Sequence, residues 1–389
     1  MPCYTRLSGI TWDHPRGIDP LVATANAYAT IRPGLAIDWH VRAGEEFVDA
    51  PMSRLALEFD LIVFDHPSIG EVVADRTLVP LNRHVTDSYM ASQAANSVGL
   101  SHLSYSAHGE QWAFAIDAAA LVSAVDTRSV GPGIQPPRSW MEAVNMMRDL
   151  AVEGRKSVMS LTGVNELMAL LALVAQEGVA PGQTDEFIPA SQGVAAVERL
   201  REVESLLAPE SSVLDPAQVL DGIAGGEIAY SPMVFGYSEY SRSPGRVRFF
   251  DIPTGANGTP ASLLGGAGLG VSSASTNIEE AVRYAAFVAD PAIQRGLYAR
   301  AIGQPGGLSA WTDPDLNDEF HGFYSETLAS VSNATMRPRF FGWLRLQREL
   351  SEVLRDDSLG DPARLISRLN ERFATAASRA GSELMGRLP

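Results

Sequence analysis

Two apolar runs in the first third of the chain end in the same tripeptide. Leu7 to Trp12 leads into Asp13-His14-Pro15, and Phe59 to Phe64 leads into Asp65-His66-Pro67. Unbroken apolar runs of this length suit strands of a parallel sheet covered on both faces. In open α/β sheets ligands bind beyond the carboxyl ends of such strands, so the paired tripeptides mark a candidate ligand crevice. A plainer reading stands beside it, in which Asp caps and Pro opens the next helix and the tripeptide is only a turn.

The segments around these runs alternate strand and helix. Pro20 to Tyr28 has helical spacing and is stopped by Ile31-Arg32-Pro33-Gly34; Leu35 to Val41 alternates as a second strand; Ile69 to Asp75 begins another helix. A βαβ series of this kind predicts a mostly parallel sheet wrapped by helices. A second unit begins near Ile116-Asp117 after a strand at Trp112 to Ile116. Its helices are expected at Trp140 to Ala151 with Ser139 as N-cap, Val164 to Gln176 and Val194 to Leu207, and its strands at Val247 to Ile252 and Leu263 to Val271. The remainder reads as helices over Ile278 to Asp290, Pro291 to Ile302, Phe320 to Val331, Phe340 to Asp356 and Pro362 to Ala380. The run Gly265 to Gly270 lacks the Lys-Ser/Thr ending of a phosphate loop and the spacing of a dinucleotide fingerprint, and reads as a tight crossover between units.

Composition removes several function classes. At 389 residues two domains are expected, and 46% hydrophobic with 20% charged residues is a globular balance with no run long enough to span a membrane. A net charge of −16 argues against nucleic acid, whose partners cluster Lys and Arg against the phosphates. The single cysteine, Cys3, excludes an internal disulfide and any cysteine-built zinc or iron–sulfur site. No basic and apolar leader precedes the first strand, which leaves open a chain that begins at a mature terminus or one that stays in the cytoplasm.

Several segments, in order along the chain, resemble the family 1 extracellular solute-binding proteins, the maltose-binding-protein-like receptors of ABC importers. Tyr28 to Ile37 is similar to that family's helix end and second strand. Phe59 to Asp65 with Leu78-Val79-Pro80-Leu81 is similar to its third strand and following turn. Gly109 to Asp117 resembles the strand that crosses to the second lobe, Pro136 to Glu142 a helix start, Ala224 to Tyr230 a helix–turn–strand, and Ala281 to Asp290 with Gln304-Pro305-Gly306-Gly307 a late helix and turn. The resemblance implies an α/β bilobal fold of the type II periplasmic-binding-protein kind, with lobe 1 in residues 1–116 plus 271–312 and lobe 2 in residues 117–270 plus 313–389. Two interlobe crossovers and a third near Trp311 would join them.

The resemblance also implies a monomeric, cofactor-free and metal-free binding protein that holds a small polar solute of some anionic character, a sugar, sugar acid or related carboxylate, between closing lobes. Its partner would be an ABC permease and its location extracytoplasmic. It places Trp12, Asp13, His14, Arg16, Asp65 and His66 on one lip, and Asp117, Thr162, Phe235, Tyr237, Phe341 and Trp343 on the other. Aromatic rings stack on sugar faces, while carboxylates and Arg bind hydroxyls or anions. Each has a structural reading too: Trp12, Phe341 and Trp343 as core, Asp13 with Arg16 as a local pair, Tyr237 with Tyr240 as a loop wall. The alternative function is a cytoplasmic enzyme or ligand sensor acting on a small acid through the Asp and His groups, although no HExxH, GxSxG or cysteine-nucleophile motif is present.

Overall fold

The computed structural model describes residues 5–42, 51–131, 135–182, 186–242 and 246–387; Met1 to Tyr4, with Cys3, lie outside them. In chain order the elements that position the site are β1 (Thr5–Trp12), α1 (Pro15–Ile31), β2 (Leu35–Arg42), α2 (Met52–Glu58), β3 (Leu61–Phe64) and α3 (Ile69–Asp75). After these come β4 (Phe114–Ala115), β5 (Ala119–Asp126), α4 (Trp140–Val152), α5 (Asn165–Gln176), α6 (Ala190–Glu204) and α7 (Pro216–Gly225). The series ends with β6 (Tyr230–Phe235), β7 (Val247–Phe250), β8 (Ser262–Gly265), β9 (Gly268–Val271), α8 (Ile278–Val288), β10 (Ala334–Thr335), α9 (Trp343–Asp356) and α10 (Pro362–Arg387).

Two sheets form two lobes. The first runs β2-β1-β3-β9-β4; β1 is parallel to β2 from Thr5↔Leu35 to Trp12↔Arg42, and β9 is antiparallel to both β3 and β4. The second runs β10-β8-β5-β6, with β7 also paired to β5. Separate cores follow: Leu7, Leu61, Val63, Leu269 and Tyr284 in the first lobe, and Val125, Leu170, Leu263, Leu350 and Trp343 in the largest cluster of the second.

The chain crosses between sheets at Ala115 to Ala119, at Gly265 to Gly268, and again near Gln304. The crossings are stitched together: the Ile116 and Asp117 amides donate to Ala267 O, the Ala267 amide donates to Asp117 O, and the Ala118 amide donates to Gln304 O. Gly266 has φ +118°, and a Cβ there would lie 2.8 Å from Ala118 Cα, so only glycine makes this turn. The single strand expected over Leu263 to Val271 is thereby split, and β9 belongs wholly to the first sheet, whereas the expected boundary gave Gly268 to Gly270 to the second lobe. Trp311 packs against Phe323 and Tyr324 in a second-lobe cluster that also holds Val122 and Phe249, so the third crossing precedes it.

Local chemistry explains the other differences. Helix α1 starts at Pro15, earlier than the apolar spacing indicates, because His14 accepts the Arg16 amide at 3.2 Å and Pro15 fits the first turn. Helix α4 has the expected cap, completed by Glu142 reaching back to the Ser139 amide. The helix expected over Phe320 to Val331 starts only at Phe323, after the left-handed His321 (φ 49°) and Gly322 (φ 83°), and is broken into two short helices at Thr327 (φ −119°). The helix expected from Phe340 begins at Trp343, after Gly342 at φ 89°. The helix over Pro291 to Ile302 contains a π-turn at Gln294–Tyr298, where the Gln294 side chain donates from Nε2 to Val288 O and accepts the Gly306 amide at Oε1. Strand β5, fully buried and the centre of the second sheet, had no alternating pattern to announce it.

Candidate solute-binding cleft

Where the two sheets' edges face each other, a cavity of about 280 Å³ is lined by Trp12, Arg16, Asp65, Asp117, Phe235, Tyr237, Asn165, Met168 and Arg337, with Gly265, Gly266 and Ala267 of the crossing among its walls. Trp12 ends β1 and turns over the first turn of α1, where a Cβ on Gly17 would come within 2.6 Å of the indole. The aromatic side chains give the cavity apolar faces; four charged side chains give it polar edges.

Those charges are matched in pairs. Arg16, 4% exposed, donates from Nε and Nη2 to the two Asp117 oxygens at 2.9 and 2.5 Å, donates from Nη1 to Gly236 O at 3.2 Å, and lies 4.5 Å over the Tyr237 ring. Burial opposes the Arg16 charge, but the Asp117 carboxylate outweighs it and the guanidinium pKa is raised. The bidentate fork therefore ties the start of α1 in one lobe to the crossing and to the loop after β6 in the other.

The second pair is Asp65, just past β3, with Arg337, just past β10, joined through Nη2 and Oδ2. Burial works against the Asp65 charge, but Arg337 and then His66 hold the carboxyl down at about 2. His66 stands behind Asp65, 1% exposed, with its Nδ1 3.1 Å from Asp65 Oδ1; burial and then Arg337 bring it down to about 4, so it is neutral at pH 7.

Of the residues singled out from the sequence, Trp12, Arg16, Asp65, Asp117, Phe235 and Tyr237 line the cavity. Asp13 is exposed, its amide donating to Arg42 O. His14 caps α1 and meets the Tyr237 ring edge-on at 5.1 Å. Thr162 is one turn short of the cavity: its carbonyl accepts from the Asn165 side chain, which does line it. Phe341 borders a different cavity with Ile69, Gly70 and Ala107, and Trp343 is 0% exposed in the second-lobe core, so the structure places neither at the cleft. Arg16 is not free to anchor an anion, because Asp117 already takes its fork. Arg337, Asn165 and Met168 were missed; the only trace of Arg337 in the sequence is its place three residues before Phe340. Among the described residues no group of three His, Cys, Asp or Glu is arranged to hold a metal ion.

Behind Tyr237, Glu239 Oε1 faces His14 Nδ1 at 3.5 Å. That nitrogen already accepts the Arg16 amide, so an ionised Glu239 meets a lone pair, and burial pushes the Glu239 carboxyl up to about 7. Burial and then Arg16 bring His14 down to about 4. A carboxyl raised in the fold contributes stability that is complete below its ordinary pKa and is lost as pH rises through about 7. Glu239→Gln is therefore expected to gain on the parent chain as pH rises from about 5 to about 7.5. Urea midpoints of both chains across that range check it; a difference constant with pH would refute the assignment.

Against solved structures the fold is matched over nearly its whole length. Maltose-bound MalE3 of T. maritima aligns with TM-score 0.80 at 16% identity, covering 96% of this chain and 100% of that one. A solute-binding protein from Thermotoga lettingae TMO bound with α-D-tagatose aligns with TM-score 0.78 at 13% identity, covering 98% and 100%. One from Agrobacterium radiobacter K84 in complex with ribitol aligns with TM-score 0.77 at 17% identity, covering 95% and 98%. Identities this low establish the bilobal α/β fold alone. No curated protein matches the sequence. The family model described as bacterial extracellular solute-binding protein matches residues 87–295, more than half of the chain, and the chain belongs to that family, whose members bind a solute rather than transform it.

Proposed function

We propose that the protein captures a small polyhydroxylated solute, of the sugar or sugar-alcohol class, between its lobes and presents it to an ABC permease outside the cytoplasm, acting as a monomer. The observation that carries this is the cavity itself, with Trp12, Phe235 and Tyr237 set beside hydrogen-bonding side chains at the interlobe edge. Aromatic faces take up the apolar C–H faces of a sugar ring, while fixed polar groups orient its hydroxyls. At about 280 Å³ the cavity is at the small end for ligand sites, which favours one or two rings over a long oligosaccharide. The maltose, α-D-tagatose and ribitol held by proteins of the same fold support this class. Among the described residues no helix is long and apolar enough to cross a membrane.

A thermal-shift screen against monosaccharides, disaccharides and sugar alcohols tests the reading, because a solute bound only by the folded state raises the melting temperature by mass action. A saturable rise of several degrees with one of them is expected, and Trp12→Ala is expected to weaken that ligand by about tenfold or more through loss of its stacking face. Consumption of the solute, or a response only to divalent metal, would overturn capture in favour of catalysis.

A further inference from the structure

Resting on that reading of the cleft, we propose that the solute is uncharged and that the Asp65–Arg337 pair is the determinant that rejects its acidic counterpart. The charged side chains lining the cavity are Arg16, Asp65, Asp117 and Arg337, two of each sign. Each is already matched across the cleft, Arg16 by Asp117 and Arg337 by Asp65, so the wall offers an entering anion no unspent cation. Glu239, close behind Tyr237, adds only negative charge as it ionises, and the neighbouring imidazoles of His14 and His66 are neutral at pH 7.

An acidic sugar would meet two unfavourable choices. To reach Arg337 it must displace Asp65 and strand that carboxylate at the cleft, or it must lie beside Asp65 and be repelled by it. Breaking a buried pair by taking away one partner is strongly unfavourable, because the remaining charge stays desolvated. A hydroxyl meets neither obstacle. Arg337 is 7% exposed and, among the described residues, its buried Nε–H has no acceptor, so its charge is matched by Asp65 alone and a neutral oxygen beside the pair exchanges no charge. Arg16 is different: both of its carboxylate-facing nitrogens are spent and Nη1 is held by Gly236 O, so it stiffens the crossing and does not read the ligand. The choice between neutral and acidic solutes thus falls to the Asp65 side of the cleft.

The test is isothermal titration of the full chain with matched probes: D-glucose and D-glucuronate, D-galactose and D-galacturonate, maltose and maltobionate. In each pair that binds, the neutral member is expected to be tighter by about tenfold or more, and an acid that binds as well or better would overturn the proposal. If none of the six binds, the solute found by the thermal-shift screen is titrated against its own acid in the same way; silence in that whole screen would sink the capture reading, and this inference with it. Asp65→Asn then frees the Arg337 charge, and the acid-to-neutral affinity ratio is expected to rise by about tenfold or more, with the acid now protecting the variant against heat more than the neutral sugar does. A folded Asp65→Asn protein with an unchanged ratio would show that the pair is not the determinant. The unsubstituted chain's pairwise comparison stands whether or not the variant folds.

Discussion

Asp117→Ala is expected to destabilise the folded chain by about 3–5 kcal/mol, the range for removing one partner of a buried ion pair. Arg16 would remain 4% exposed with its fork facing no acceptor, and its single bond to Gly236 O at 3.2 Å cannot replace two charge-assisted ones. Asp117 also lies where the crossings are stitched, but its backbone bonds to Ala267 survive the substitution, so the loss reports the side chain. The paired change Arg16→Met with Asp117→Ala is expected to cost less than Asp117→Ala alone, because it strands no charge. Urea unfolding of the three chains gives the comparison. A double variant as unstable as the single, or a single variant within about 1 kcal/mol of the parent, would mean that water relieves Arg16 and the pair is not buried in effect.

Gly70→Ala is expected to prise the lobes apart while leaving each core intact. Gly70 is in α3 of the first lobe, and a Cβ there would lie 2.5 Å from Phe340 O and 2.6 Å from Phe341 N, backbone atoms that lead into α9 of the second. Backbone cannot swing aside as a side chain can, so the segment from Arg337 to Gly342 must lift. That segment is a strap bound to the first lobe at several points: Arg337 to Asp65, Arg339 Nη1 to Leu103 O, Ser104 O and Ser106 O at 3.1, 2.8 and 2.8 Å, and the Gly342 amide to Glu71 Oε1 at 3.2 Å. The Gly342 contact supplies a cap to α9 from the opposite lobe, where α9 has no capping side chain of its own. Overpacking of this kind costs about 1–3 kcal/mol, and the larger effect is on closure. A larger radius of gyration by small-angle scattering and an affinity for the solute weaker by about tenfold or more are expected, with cooperative melting retained. Unchanged scattering and affinity would show that the strap yields locally.

The parts of this molecule that could be read from the sequence are those where a period or a breaker is local. The β1–α1–β2 and β3–α3 units, the Ser139 cap of α4 and the closing helix α10 all have their signals within a few residues. Strand β5 was invisible because burial on both faces removes alternation and its alanines carry no strand preference. The cleft shows the same division. Trp12 closes β1, and Arg16 and Asp65 come just after strand ends, where the tripeptides marked a crevice and the family resemblance placed these residues, whereas Arg337 reaches the cavity only because β10 pairs with β8, a contact between distant parts of the chain. Trp343 was misplaced for a related reason: an aromatic cluster does not reveal which of its rings the helix turns inward, and α9 turns this one into the core.

Strand β9 has a consequence for how the protein is made. It sits between β3 and β4, so the first lobe's sheet has a slot in its middle until Val271 has been synthesised. A nascent chain that already contains β1 to β4 cannot complete that lobe on its own; β3 and β4 each keep an unpaired edge while the whole sequence of the second sheet's β5 to β8 emerges. Unpaired edges attract other strands, and pairings this distant along the chain form slowly. The two lobes are therefore not independent folding units in order of synthesis, and the first to begin is not able to finish first.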